Sequence, residues 1–274
     1  MANRVIDDAI VVADTVTKLG PECEGRVVLG ASHGGVYATY LACKARARGV
    51  ILNDAGRGKD NAGIGGGDYC EPLNIPYATV DTMSCRIGNG ESAAADGVIS
   101  FANAIATELG IAVGMSAIEA ARFMTEAPMS DTPPPAYEEA RKELPERPGH
   151  RRVVLMDSIS LVKPEDAGAI IVSGSHGAML GANKLSALTV DGFAAFFSDA
   201  GGGKDGSAVT RLPALDERGI IAGTVDCMSA RIGDGVSIYR DGILSHVNQT
   251  AQAQGGEVGM RAQTFIDKLA NDPI

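Results

Sequence analysis

Tryptophan is absent from this 274-residue chain, histidine occurs four times, and aromatic residues make up 4%. No apolar run approaches the roughly 18–20 residues that a bilayer span requires. Asp7 and Asp8 stand where a secretory signal would carry basic charge, so a cytoplasmic protein with no membrane partner is expected. The five cysteines, Cys23, Cys43, Cys70, Cys85 and Cys227, are odd in number and show no Cys-x-x-Cys spacing. Neither a disulfide framework nor a cysteine zinc knuckle is indicated. Basic charge is also short: 24 Lys and Arg against 34 Asp and Glu give −10 at pH 7 and an isoelectric point near 4.9. Such a surface repels phosphate backbones and anionic lipid, which excludes nucleic acid as a partner.

Glycine is plentiful instead, with 35 residues. Each one costs chain entropy unless a turn or a ligand needs its backbone freedom. The surplus belongs to an internal duplication. Residues 14–35 lie over 157–178 at a shift of 143, and residues 53–117 lie over 198–262 at a constant shift of 145, with 27 of those 65 positions identical. Between the copies, residues 125–152 are rich in proline and charge and have no apolar period, which reads as a linker. The expected organisation is a first repeat over 1–124, a linker over 125–152 and a second repeat over 153–274.

Within each copy, short apolar runs alternate with helical stretches. Such alternation predicts α/β architecture: two tandem three-layer units with mainly parallel sheets, related by a pseudo-two-fold. A further strand is expected ahead of each unit, at AIVVAD and RVVLMD. Met83, Met228, Met115 and Met260 read as core filling.

In open parallel sheets ligands bind beyond the C-terminal strand ends. Polar residues shared by the copies fall there. The first strand is followed by Ser32-His33-Gly34 and Ser175-His176-Gly177. The next gives Asp54 and Lys59, matched by Asp199 and Lys204, and the third gives Asp81, Ser84 and Arg86, matched by Asp226, Ser229 and Arg231. His246 has no twin, because Phe101 occupies its place. Asp and Ser after a strand also serve as turn and cap residues, whereas Lys and Arg in glycine-rich loops have no capping role.

The expected catalytic set is His33, His176, Lys59, Lys204, Ser84, Ser229, Asp81, Asp226 and His246. Ser32, Gly34, Ser175, Gly177, Asp54, Asp199, Arg86 and Arg231 are expected to bind substrate, since arginine forks grip carboxylates. These point to a cofactor-independent hydrolase acting on the C–N bond of a small anionic amide or cyclic amide. Serine would be the nucleophile, His or Lys the base, and loop amides the oxyanion hole, in a site between the repeats. Alternatives are a divalent-metal hydrolase using His33 or His176 with Asp54, Asp81, Asp199 or Asp226, an isomerase or lyase moving a proton at a carbon acid, and a non-catalytic metabolite-binding protein. Gly-x-Gly-Lys-Asp at 56–60 lacks the hydroxyl that a Walker loop places after Lys. The chain could be a monomer or a homo-oligomer.

Overall fold

The computed structural model describes residues 3–181 and 183–271. They form a mixed α/β structure with two six-stranded sheets, one from each half of the chain. The first holds β1 (Arg4–Ile6), β2 (Ile10–Ala13), β3 (Val27–His33), β4 (Gly49–Asn53), β5 (Tyr77–Val80) and β6 (Ile99–Ala102), side by side in that order. The second holds β7 (Arg141–Glu143), β8 (Val153–Met156), β9 (Ile170–His176), β10 (Ala194–Ser198), β11 (Ile221–Val225) and β12 (Leu244–Val247). In each, the four inner strands pair parallel and both edge strands antiparallel. The strands expected at AIVVAD and RVVLMD are β2 and β8.

Inner strands are largely apolar because both sheet faces are covered, with Asn53, Thr79, Ser173, Ser198 and Thr224 among the buried polar exceptions. Val27, Leu29 and Ile51 join one buried cluster, while Val28, Val50 and Leu52 join another. The second sheet divides its residues between two clusters in the same way. Helices supply the outer layers. The first half carries α1 (Val36–Lys44), α2 (Gly66–Cys70), α3 (Gly90–Asp96), α4 (Ala104–Glu108) and α5 (Ala117–Met124). The second carries α6 (Arg211–Asp216), α7 (Gly235–Asp241), α8 (Gln249–Ala253) and α9 (Ala262–Asn271). α5 buries Ala117, Ala120, Ala121 and Met124, and α9 buries Ala262, Phe265, Ile266 and Leu269, the spacing of one helix face. Caps recur too: Asn103 and Asn248 accept amide hydrogen bonds from the first turns of α4 and α8.

The chain divides into two compact units, residues 1–57, 61–138 and 202–207 in the first, and 58–60, 139–201 and 208–274 in the second. The stretch read as a linker is shared between them. Its early part packs on the first unit, where Ser130 Oγ donates to the Leu73 carbonyl at 2.6 Å and Tyr69 Oη donates to the Pro135 carbonyl at 2.7 Å. Its later part supplies β7, whose Arg141 pairs with the fully buried Asp166. An edge strand made of three charged residues has no apolar period to reveal it.

The units differ in one layer. Among the described residues of the second, nothing corresponds to α1: residues 178–181 and 183–190 run irregularly, with a single short turn at Lys184–Ala187. Arg211 is 2% exposed and donates to the carbonyls of Ala178, Ser186 and Ala187. Arg218 donates to those of Leu188 and Val190. In the 145-residue register these arginines occupy the places of Gly66 and Leu73. A Cβ at Gly66 would collide with Thr39 on α1 and with the Tyr77 ring.

Candidate functional site

In each unit the three central strands end side by side, and a histidine and two aspartates follow. His33 lies in register with Asn53, the Asp54 amide donates to the Val80 carbonyl, and the Asp81 amide to that of Val98. In the second unit His176 is in register with Ser198, and the Asp199 and Asp226 amides donate to Val225 and Ile243.

Both imidazoles are held alike. The Gly35 amide donates to His33 Nδ1, and the Ala178 amide to His176 Nδ1, each at 3.2 Å. With Nδ1 accepting, a neutral ring carries its proton on Nε2. Burial pulls His33 down to about 4, which keeps it neutral at physiological pH. It is therefore a hydrogen-bond donor rather than a charged acid.

Asp54 and Asp199 are buried, at 4% and 7% exposure. Asp54 Oδ1 accepts from the Gly56 and Thr82 amides, and Asp199 Oδ1 from those of Gly201 and Cys227. Burial raises the Asp54 carboxyl above its usual range, against the pull of the Ser100 hydroxyl and those amides. Asp81 and Asp226 lie nearer solvent and each accepts an amide, from Met83 and Met228. Asp199, Asp226 and Cys227 present ligand atoms within 4.8 Å of one another. This is the set among the described residues that could hold a metal ion, and it contains no histidine. Its thiol is pushed up to about 12, by burial first and then by the two carboxylates. The first repeat has Thr82 in place of that cysteine.

The chain leaves these aspartates through an unusual backbone. Ala55, Gly56, Arg57 and Gly58 all have φ between +50° and +74°, and Asp60 and Asn61 follow at +55°. Ala200 to Gly203, Asp205 and Gly206 repeat the pattern. Each non-glycine residue held there costs on the order of 1 kcal/mol. Such a left-handed coil explains several glycines of the surplus. Others, such as Gly66, permit close packing.

The remaining expected residues occupy less reactive settings. Ser84 Oγ donates to the Asp81 carbonyl at 2.7 Å and accepts from the Val98 amide at 3.0 Å. Ser229 does the same with Asp226 and Ile243. Ser32 and Ser175 accept from the Val16 and Ile159 amides. The Gly34 and Gly177 amides donate to the Asn53 and Ser198 carbonyls, so neither is turned toward a ligand. The cations form ion pairs: Arg86 with Asp205 and Lys204 with Asp96 in the first unit, Arg231 with Asp60 and Asp234, and Lys59 with Asp241, in the second. His246 is exposed on β12, with Nδ1 3.2 Å from Thr224 Oγ1 and Ser245 Oγ.

The hydroxyl pairs Thr79–Ser100 and Thr224–Ser245, both 3.1 Å apart, lie on the strands bearing or flanking the aspartates and were missed. Their identity in both repeats was the available signal. Met83 and Met228 are 58% and 64% exposed beside the aspartates and fill no core, whereas Met115 and Met260 pack against it. Comparison with protein-family models, curated proteins and solved structures returns no match.

Proposed function

We propose that the chain is a cofactor-independent hydrolase for the C–N bond of a small anionic amide, working by a carboxylate and a water molecule instead of a serine nucleophile. One observation carries this reading: a buried aspartate opens a strained left-handed coil at the same strand end in both repeats. Strain of this kind persists where the surroundings enforce it, and it clusters at working sites. Asp54 and Asp199 would take a proton from water, and the His33 or His176 Nε2–H would stabilise the oxyanion. Ser32, Ser84, Ser175 and Ser229 are each held by backbone partners, which argues against covalent catalysis. Exposed ion pairs are weak, about 0–1 kcal/mol, so Arg86 or Arg231 can exchange a carboxylate for an anionic substrate.

A second reading, proton transfer at a carbon acid, is favoured by the neutral imidazole. A donor of this kind can polarise a carbonyl while a carboxylate removes the neighbouring proton. Proton NMR in D2O against small carboxylates and cyclic amides separates the two. Hydrolysis gives new product resonances, whereas carbon-acid chemistry exchanges a C–H signal without cleavage. Asp54→Asn and Asp199→Asn together are expected to lower kcat by about 10²-fold or more. Turnover that survives in the folded double variant sinks both readings, and binding without turnover in the parent protein leaves a metabolite-binding protein.

A further inference from the structure

Away from the strand-end residues, the first unit carries an open groove of about 490 Å³. It is formed by the turns Val16–Lys18 and Pro21–Cys23 and the end of α1. That volume falls in the range of roughly 300–1,000 Å³ typical of small-molecule sites. Val16, Leu19, Leu41 and Ala45 make an apolar floor. Leu19 and Leu41 pack against the core yet stay partly open to solvent.

Two cations, Lys44 and Arg46, stand at the rim in a protein of net charge −10. Lys44 and Arg46 line it together with one acid, Glu24, while the Glu22 carboxylate is occupied by the Gly20 amide and Asn3. Arg46 approaches Glu24 only to 3.9 Å, with both side chains exposed. No carboxylate among the described residues pairs with Lys44, whose ammonium sits 5.7 Å from the centre of the Tyr40 ring. Neither cation is needed to cap α1, because the Leu41, Ala42 and Cys43 carbonyls accept from the Ala45, Ala47 and Arg46 amides. Arg46 also holds φ at +63°, just beyond the helix end, where glycine avoids a cost on the order of 1 kcal/mol. An arginine at a strained position, beside a lysine with no carboxylate partner among the described residues and over an apolar floor, suits an anionic ligand.

We infer that this groove binds a small amphipathic anion, an apolar ring system or short acyl chain ending in a carboxylate or sulfonate. The inference is independent of the strand-end chemistry. The probe is 8-anilinonaphthalene-1-sulfonate, titrated by fluorescence into the 274-residue chain, with the site mapped by amide NMR shifts. Saturable binding is expected, with shifts centred on Leu19, Leu41, Ala45 and Arg46. Lys44→Glu with Arg46→Glu should weaken it at least about tenfold, while the uncharged N-phenyl-1-naphthylamine still binds that variant. Leu41→Asp should abolish binding of both dyes; should it fail to fold, the surface charge variant and the shift map decide alone. Absence of saturable binding, shifts elsewhere, or unchanged sulfonate affinity in the charge variant would overturn the proposal.

Discussion

The layer over β3 and β4 is built as a helix in the first unit, and the corresponding residues of the second unit are an irregular segment held by two arginines. α1 satisfies its own backbone and needs only close contact, which Gly66 permits. The described residues of 178–181 and 183–190 lack continuous helical pairing, and buried carbonyls without donors are costly. Arg211 and Arg218 supply the donors. Two solutions to one hydrogen-bonding problem thus differ by a glycine and a leucine exchanged for arginines. Burial lowers the Arg211 guanidinium to about 10, with no carboxylate partner among the described residues. Carbonyl oxygens and the Phe197 ring, 5.2 Å away, are what it has for compensation.

The comparison fails most visibly if the arginine is dispensable. Arg211→Met should cost about 3–5 kcal/mol in chemical denaturation, because it strands three carbonyls; a loss below about 1 kcal/mol would mean that the segment satisfies itself. Gly66→Ala tests the other solution. Overpacking against Thr39 and Tyr77 should cost about 2 kcal/mol, and an unchanged stability would show that α1 rides loosely on α2.

The smallest effect is pH-dependent. His33 binds its proton near 4 when folded and near 6.5 when unfolded. The unfolded state therefore holds more protons in that window. Stability is full above about pH 6.5 and falls on acidification toward 4. Asp54, raised by burial, acts in the opposite sense, losing stability as pH rises through its own transition. His33→Asn should remove about 1–2 kcal/mol of the acid loss, given the partial exposure of the ring. Denaturation curves at pH 4.5 and 7 measure it, and an identical acid slope in the variant would remove His33 from the account.

Much of the architecture was legible because it rests on repetition and on burial. The 145-residue register gave two units, and unbroken apolar runs such as Ile10–Ala13 and Val153–Met156 marked strands covered on both faces. The edge strand β7 was not legible, since Arg141–Glu143 is three charged residues in a row and the buried partner of Arg141, Asp166, lies 25 residues away. The strand-end placement of the aspartates and histidines was legible because drift had spared them. The setting of the serines was not, because it depends on which way a hydroxyl points. Ser84 reads as a nucleophile in one dimension and is a bridge between Asp81 and Val98 in three. Likewise, the carboxylates that pair with Lys59 and Lys204 lie 182 and 108 residues away in the chain, beyond any local pattern.

The membership of residues 202–207 in the first compact unit has a consequence for synthesis. A ribosome finishes the sheet of that unit long before it makes Lys204 and Asp205, the partners of Asp96 and Arg86. The nascent first unit waits with those charges unmatched until the chain has passed β10, when β11, β12 and α6 to α9 are still to be made, so these ion pairs close well after its core can form.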